Sequence, residues 1–366
     1  MKKKINWSKL SFCLISIIIG ALLGYYSSKL FDNLQLMKGL NREVEHGLIF
    51  LLLAIPLSYF TSIIFHEGGH LIFGLLSGYK FVSFRIYNLI FIKENGKLKL
   101  KKFKVHGTAG QCLLMPPKKI NNKFPYKLYN LGGIIVNSIL CLMAFICLSL
   151  FNMGSFLNIF SYLIIVFNLI FILLNGIPMK LNGLPNDGYN VFLANKDTLA
   201  REGFYLTLKI NGLLTEGMRY KDMPHEWFIL PAEADLSNSL NASIRIQEGY
   251  WYYDKMNFKM AKECYESLLK DSVNLIDLYK KELNCMLLFL EIIGECRKER
   301  IEELYTKELK NYVKAMKSMI DKQKLLYAYE LLVNDNEENA EKILEYIKKA
   351  KTLILLKEKF FVKWIW

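Results

Sequence analysis

The chain has 366 residues, of which 52% are hydrophobic, and a formal net charge of +14. So apolar a composition excludes an intrinsically disordered chain, because enough apolar surface is present to be buried on folding. The charge is uneven: residues 1–189 hold 20 Lys and Arg against 6 Asp and Glu, whereas residues 190–366 hold 28 of each. This asymmetry indicates two different environments and argues against nucleic-acid binding.

Four apolar segments are long enough to cross a membrane as helices, which takes about 20 residues for roughly 30 Å of hydrocarbon. They are residues 10–30, 47–78, 131–152 and 156–175. The first follows a basic N-terminus, as the apolar part of a signal peptide does, but no small-x-small cleavage site follows it. We therefore expect a retained helix, with residues 1–46 forming this helix and an external loop.

The charges of the loops predict the orientation. Residues 79–129 hold 12 Lys and Arg and a single acid, Glu94, and four lysines precede the first span. By the positive-inside rule, the N-terminus, this loop and the chain after the fourth span are cytoplasmic. Seven scattered cysteines without a CxxC pair fit a reducing compartment. The prediction is a multi-pass protein of a cell membrane, and the Lys-, Asn- and Ile-rich composition indicates a bacterial source.

The cytoplasmic loop contains a predicted β-hairpin. Runs of β-type residues at 81–93 and 97–105 flank Glu94-Asn95-Gly96, and an Asn-Gly pair between such runs is a strong hairpin signal. Two compatible interpretations stay open. The hairpin lies on anionic lipid headgroups, or its edge strand captures an extended peptide by β-addition.

The C-terminal half, residues 196–366, predicts an all-α cytoplasmic domain. Apolar positions at helical spacing run through residues 240–271, 273–293, 297–320, 322–333 and 337–355. Residues 249–265 carry the Gly-x2-Tyr-x8-Ala-x3-Tyr spacing of a tetratricopeptide repeat, and residues 328–344 echo it. An ordinary helical bundle is nearly as compatible with this pattern. The predicted fold is a polytopic α-helical membrane protein, with its core at 47–195, plus a tetratricopeptide-like helical domain.

The second span contains His66-Glu67-Gly68-Gly69-His70. On a helix, His66 and His70 lie one turn apart, so both imidazoles can bind one metal ion while Glu67 takes a proton from a water on that ion. Imidazole and carboxylate ligands with one open position suit zinc. The alternative is a buried polar cluster between helices, but ionisable residues inside a membrane helix are costly and usually functional.

A third protein ligand must come from elsewhere in the chain. Asp187 is the only acid between Glu94 and Asp197, and the predicted topology returns it to the cytoplasmic side after the fourth span. Glycines and prolines around it break the helix and let the backbone fold back. The alternative is a turn-forming Asp-Gly with a solvated carboxylate. Because the chain also contains an intramembrane HExxH motif, we predict that Asp187 is the third ligand of one zinc ion per chain.

At these residues the sequence resembles the site-2 protease family of intramembrane zinc metalloproteases. The resemblance covers residues 47–190 and depends on three motifs: HEGGH at 66–70, GIIVN at 133–137, and Asn175-x2-Pro178 leading to Asp187-Gly188. The spacer before Asp187 is longer than usual, with KLNGLPN inserted, so the resemblance leaves the path to Asp187 open. Tyr189 replaces the second glycine of the motif, and no PDZ domain is evident.

The resemblance implies roles for six residues. Glu67 is the expected catalytic base, and the expected zinc ligands are His66, His70 and Asp187. Asn137 and Asn175 are expected near the substrate backbone, where the alternative is hydrogen bonding between helices.

The expected activity is hydrolysis of a peptide bond in a membrane protein or a small peptide, in regulated proteolysis or leader maturation. The expected partners are this substrate, the lipid bilayer and a protein bound to the helical domain, but no nucleic acid. The competing hypothesis is a non-catalytic membrane scaffold for peptide export or immunity. The intact Glu67 favours the protease, because a structural metal site has no need of that base.

Overall fold

The computed structural model describes residues 42–355, except 95, 103–107, 152, 182–183, 272–274, 276 and 318, and also Gly20 and Gly24. The first predicted span, residues 10–30, therefore lies outside the described residues apart from these two glycines, and so does most of the external loop.

Within the described chain, three helices are long and apolar enough to span a membrane: α1 (Arg42–Leu76), α2 (Tyr126–Leu150) and α3 (Ser155–Gly176). Each of them packs against the other two, and many of their outer side chains are exposed and apolar, as Leu52 is at 70%. This surface is consistent with membrane association. Helix α2 begins at Tyr126 rather than at residue 131, because its first turn places Tyr126, Tyr129 and Asn130 in the interior.

The loop between α1 and α2 forms an antiparallel sheet rather than a single hairpin. Its strands, in the order β3-β2-β1-β4, are β1 (Lys80–Ile86), β2 (Leu89–Glu94), β3 (Lys97–Lys102) and β4 (Gly110–Met115). The predicted hairpin is confirmed for β2 and β3, which pair antiparallel with Glu94 opposite Lys97. The predicted run 81–93 is two strands, because Tyr87 has a φ of +56° and the chain reverses there.

The sheet lies alongside α1 and not only beyond its end. A Cβ on Gly74 would lie 2.2 Å from the Leu114 side chain, and the Tyr87 ring lies 6.1 Å from that of Phe60. Phe60 precedes Leu76, the last residue of α1, by 16 positions, or about 24 Å at 1.5 Å per residue. The β1–β2 turn therefore reaches past the middle of the apolar part of α1, Leu51–Leu76.

After α3 the chain folds back on the membrane helices. The elements are a two-stranded hairpin, β5 (Lys180–Leu181) and β6 (Leu184–Pro185), then α4 (Asp187–Lys196) and α5 (Thr198–Glu216). Helix α5 packs on β4, where a Cβ on Gly212 would lie 2.7 Å from Met115. One hydrophobic core joins the sheet, the start of α2, and α5. The predicted boundary at residues 195/196 thus falls inside a shared core.

The remaining helices form the C-terminal part: α6 (Ser239–Asp254), α7 (Phe258–Asp271), α8 (Asp277–Ile293), α9 (Lys298–Leu304), α10 (Lys307–Ala315), α11 (Ile320–Leu332) and α12 (Glu337–Leu355). The predicted segments 240–271 and 297–320 each contain two helices, because Met256 turns the chain with a φ of +61° and Thr306 caps a new helix.

Both predicted repeat segments are packed helix pairs. In the α6–α7 pair a Cβ on Gly249 would lie 2.2 Å from the Tyr265 ring, which explains a small residue there. Tyr265 and Ala261 are fully buried. In the α11–α12 pair, Ala328 and Ala340 are buried at the corresponding positions.

Two ion-pair groups, each with a buried carboxylate, link the C-terminal helices. Lys322 Nζ, 2% exposed, lies 2.6 Å from the Glu282 carboxylate of α8 and 2.5 Å from that of Asp321. Glu291 accepts two hydrogen bonds of 2.8 Å from the Arg297 guanidinium. These bonds lower the pKa of Glu291 to about 2.

Candidate metal centre

Three side chains from two distant parts of the chain converge at one point. His66 Nε2 and His70 Nε2 lie 3.2 Å apart. Asp187 Oδ2 lies 3.4 Å from His66 Nε2 and 3.3 Å from His70 Nε2. Both histidines are buried and Asp187 is largely buried. These residues are the three that the sequence predicts as metal ligands, and the structure brings them together.

The triangle of donor atoms fits a tetrahedral metal ion. Zinc binds histidine nitrogen and carboxylate oxygen at about 2.0–2.1 Å. Tetrahedral bonds of that length separate neighbouring ligand atoms by about 3.3–3.4 Å, and the separations of 3.2, 3.3 and 3.4 Å match this value. Among the described residues the group holds three ligands, and three protein ligands with one open position are typical of catalytic rather than structural zinc sites.

Helix α2 fixes the imidazole of His70. The Nδ1 atom of His70 lies 2.7 Å from the carbonyl oxygen of Tyr129 in this helix. Since a carbonyl only accepts, Nδ1 carries the proton and donates it, and the Nε2 lone pair points to Asp187 and His66. The Tyr129 ring is in turn held by stacking on Tyr79, with ring centroids 4.9 Å apart, and by a 2.8 Å hydrogen bond from its hydroxyl to the Cys112 carbonyl.

The same face of α2 holds the imidazole of His66. A Cβ on Gly133 would lie 2.6–2.8 Å from three atoms of this ring, so only glycine leaves room for it. One turn later, the Asn137 amide lies 3.3 Å from His66 Nδ1, and its Oδ1 is buried with no hydrogen-bond partner among the described residues. With the Asn137 amide turned by 180°, Oδ1 accepts a hydrogen bond from His66 Nδ1–H. That orientation pairs the orphaned oxygen and frees His66 Nε2 for a metal ion.

Asp187 reaches the site because the long spacer folds on itself. Strands β5 and β6 pair Lys180 with Pro185, so the inserted residues project as a hairpin and Asp187 becomes the first residue of α4. Burial alone would raise the pKa of Asp187, but when the two imidazoles are protonated, their charges and the hydrogen bonds they then donate outweigh burial and lower it. The carboxylate therefore stays ionised at neutral pH, which is the form that binds metals.

Glu67 is buried beside the three donor atoms, within electrostatic reach of both histidines and Asp187. Strand β4 begins against it, because a Cβ on Gly110 would lie 2.4 Å from Glu67 Oε1. The fully buried Arg85 guanidinium donates to the carbonyls of Tyr87 at 2.7 Å and of Gly110 at 3.2 Å. Arg85 therefore fixes the strand end that borders Glu67.

Asn175 is not part of this cluster of donors. Its side-chain amide donates to the Phe171 carbonyl of its own helix at 3.0 Å, and its own carbonyl faces Gly188. Its role near a substrate stays a prediction, as does that of Asn137, which the structure places on His66.

Sequence reasoning missed three contributors to the site. The Tyr129 carbonyl and Gly110 contribute through their backbone atoms. Such a contribution cannot be predicted from the residue type, except that a glycine indicates a place without room for a side chain. Arg85 is the exception, since a lone arginine in an otherwise apolar strand is a signal for a buried partner. No family model matches this sequence, and no curated protein or solved structure is significantly similar to it.

Proposed function

We propose that this chain is an intramembrane zinc metalloprotease that holds one Zn²⁺ with His66, His70 and Asp187. The observation that carries the proposal is the triangle of donor atoms, whose sides of 3.2–3.4 Å suit a tetrahedral ion with one free position. The resemblance to the site-2 protease family supports the same assignment. A structural site would be expected to use a fourth protein ligand.

Glu67 supplies the acid–base chemistry in this proposal. When bound, Zn²⁺ polarises the scissile carbonyl and lowers the pKa of a coordinated water to about 7. Glu67 accepts a proton from the attacking water and donates it to the nitrogen of the leaving peptide. Its burial shields both transfers from bulk water.

The substrate of this proposal is a membrane-embedded or membrane-associated protein or small peptide. His66 and His70 lie 10 and 6 residues before the end of α1 at Leu76, which is about 15 and 9 Å along the helix axis. The cleaved bond would lie at that depth, nearer the end of α1 that the loop charges assign to the cytoplasm. A protein of this kind resides in a cell membrane, with its C-terminal helices in the cytoplasm.

An extended substrate segment would lie beside β4. A transmembrane helix hides its carbonyls in internal hydrogen bonds, so its backbone must be locally extended before hydrolysis. β4 is an edge strand of the sheet, and its first residue borders Glu67. β-addition there would place extended backbone next to the base. A photo-crosslinking residue at Gln111, in β4, should trap substrate in a Glu67→Gln background, whereas the other edge, at Leu100, should not. The reverse result would refute this docking mode.

The C-terminal helices would bind a protein partner or the soluble part of the substrate. The proposal that they form a tetratricopeptide-like unit is supported by the two helix pairs with small residues at the predicted contacts. Removing α12 by truncation should abolish partner capture without changing the zinc content if this assignment holds.

Zinc content of the detergent-purified protein tests the metal site. The wild type should contain one zinc per chain, and Asp187→Ala should lose it or bind it far more weakly. Zinc retained in Asp187→Ala would move the third ligand elsewhere. A folded wild type that binds no zinc would refute the protease and leave the non-catalytic scaffold.

Glu67→Gln separates the protease from the scaffold. The variant keeps the three ligands, so it should bind zinc like the wild type but generate no new peptide termini. Mass spectrometry of terminal peptides from membranes of cells that express either form measures this. Termini that appear with the wild type and not with Glu67→Gln support the protease. Identical terminal peptides from two zinc-loaded proteins would contradict it.

A further inference from the structure

The side chain of Asn186 makes four hydrogen bonds next to the candidate metal centre. Its Nδ2 donates to the carbonyls of Leu174 and Ile177, both at 2.6 Å. Its Oδ1 accepts from the backbone N–H of Tyr189 at 2.8 Å and of Met179 at 3.2 Å. Asn186 is 7% exposed, so these protein partners replace the water that its amide would otherwise bind.

These four bonds join three segments that the sequence separates. The two carbonyls belong to the end of α3, where the last C=O groups of a helix have no internal partner. The Tyr189 N–H belongs to the first turn of α4, where the first N–H groups lack partners. Met179 precedes the β5–β6 hairpin, and the Asn186 N–H donates back to its carbonyl at 3.1 Å. One amide thus satisfies both helix ends and closes the base of the inserted hairpin.

The position of Asp187 depends on this junction, since Asp187 directly follows Asn186. The next residue, Gly188, packs so closely on the end of α3 that a Cβ would lie 2.3 Å from the Gly176 carbonyl oxygen. The start of α4 is therefore held by contact on one side of Asp187 and by hydrogen bonds on the other.

We infer that Asn186 is a positioning residue that fixes Asp187 as a metal ligand by tying the first turn of α4 to the last carbonyls of α3. The inference rests on the proposed zinc site, because it concerns how one ligand of that site is held. Asparagine suits the role better than the other good helix caps, since Ser, Thr and Asp accept from the helix N–H but do not offer two N–H donors to two carbonyls.

Zinc affinity of full-length Asn186→Ala and Asn186→Ser, in detergent, tests the inference. Serine keeps the helix cap and removes the amide donors, so it separates capping from positioning. Both variants should bind zinc 10–100-fold more weakly, the range found for groups that orient metal ligands. Asn238→Ala is the matched control, because Asn238 caps α6 with a 3.0 Å bond from the Leu240 N–H far along the chain from the metal ligands. It should bind zinc like the wild type.

The visible absorption of the Co²⁺-loaded proteins gives a second readout, since it reports the ligands directly. Asn186→Ser should shift towards the spectrum of Asp187→Ala, and Asn238→Ala should match the wild type. Wild-type zinc affinity and an unchanged Co²⁺ spectrum in Asn186→Ser would overturn the inference while leaving the zinc site intact. A wild type that binds neither metal would instead overturn the proposed function on which the inference rests.

Discussion

The two glycines of the HEGGH motif should respond in opposite ways to alanine. A Cβ on Gly69 would lie 2.2 Å from the Gly132 carbonyl oxygen of α2, whereas a Cβ on Gly68 meets nothing within 4 Å. Carbon and oxygen need about 3.2 Å, so Gly69→Ala must push α1 and α2 apart by about 1 Å. Metal–ligand bonds tolerate changes of about 0.2 Å. The displacement therefore exceeds this tolerance at the contacts by which α2 orients His66 and His70.

Gly69→Ala should weaken zinc binding at least tenfold and destabilise the fold by about 1–3 kcal/mol through overpacking. Gly68→Ala should keep wild-type zinc affinity and stabilise the helix by about 0.5–1 kcal/mol, because alanine is the better helix former. Competition with a chromophoric chelator and thermal unfolding in one detergent measure both effects. Equal zinc affinities for the two variants would show that the contact of Gly69 with α2 does not shape the site.

Three further predictions concern the ion pairs of the C-terminal helices and the amide of Asn137. Lys322→Met removes the ammonium group that pairs with the carboxylates of Glu282 and Asp321. It should lower the free energy of unfolding by about 3–5 kcal/mol. A loss below about 1 kcal/mol would mean that water solvates these carboxylates. The pKa of Glu291, lowered to about 2 by Arg297, gives stability that is present above pH 4.5 and lost as the pH falls towards 2. Because half of Arg297 is exposed, solvent screening reduces this loss, and the loss should be absent from Glu291→Gln in acid unfolding experiments. Asn137→Leu should weaken zinc binding 10–100-fold, whereas Asn168→Leu, which removes a 2.9 Å bond between α3 and α1, should not; equal zinc affinities would contradict the orienting contact.

The sequence was informative where chemistry depends on residue type at short spacing. His66 and His70 share a helix face, and apolar runs mark the membrane helices, so local periodicity was sufficient for both. Asp187 could be predicted by elimination, because it is the only acid between Glu94 and Asp197. Its contact with the histidines is long-range and has no local sequence signal. The structure places one ligand atom of each of these three residues within 4.8 Å of one another, and their role as metal ligands stays a prediction.

The path of the loop between α1 and α2 was beyond such reasoning. β4 pairs with β1 across more than 20 residues, and its position beside Glu67 depends on tertiary packing rather than on local propensity. The Tyr129 carbonyl that holds His70 is a backbone group, and every residue has one. Gly133 and Asn137 were recognisable in the sequence, because both belong to the GIIVN motif. Their contacts with His66 became clear only from the structure.

The junction at Asn186 leads to a last prediction, about the length of the spacer. Lys180 and Pro185 face each other across β5 and β6, so their Cα atoms are about 4.5–5.5 Å apart. One glycine in place of residues 181–184 can span that distance, since two peptide units reach about 7 Å. The shortened protein should retain wild-type zinc affinity, because the bonds of Asn186 to α3 and α4 are outside the deletion. The same deletion combined with Asn186→Ser should lose zinc affinity. If the deletion alone abolishes zinc binding in a folded protein, the hairpin itself carries Asp187 to the histidines, and the junction does not.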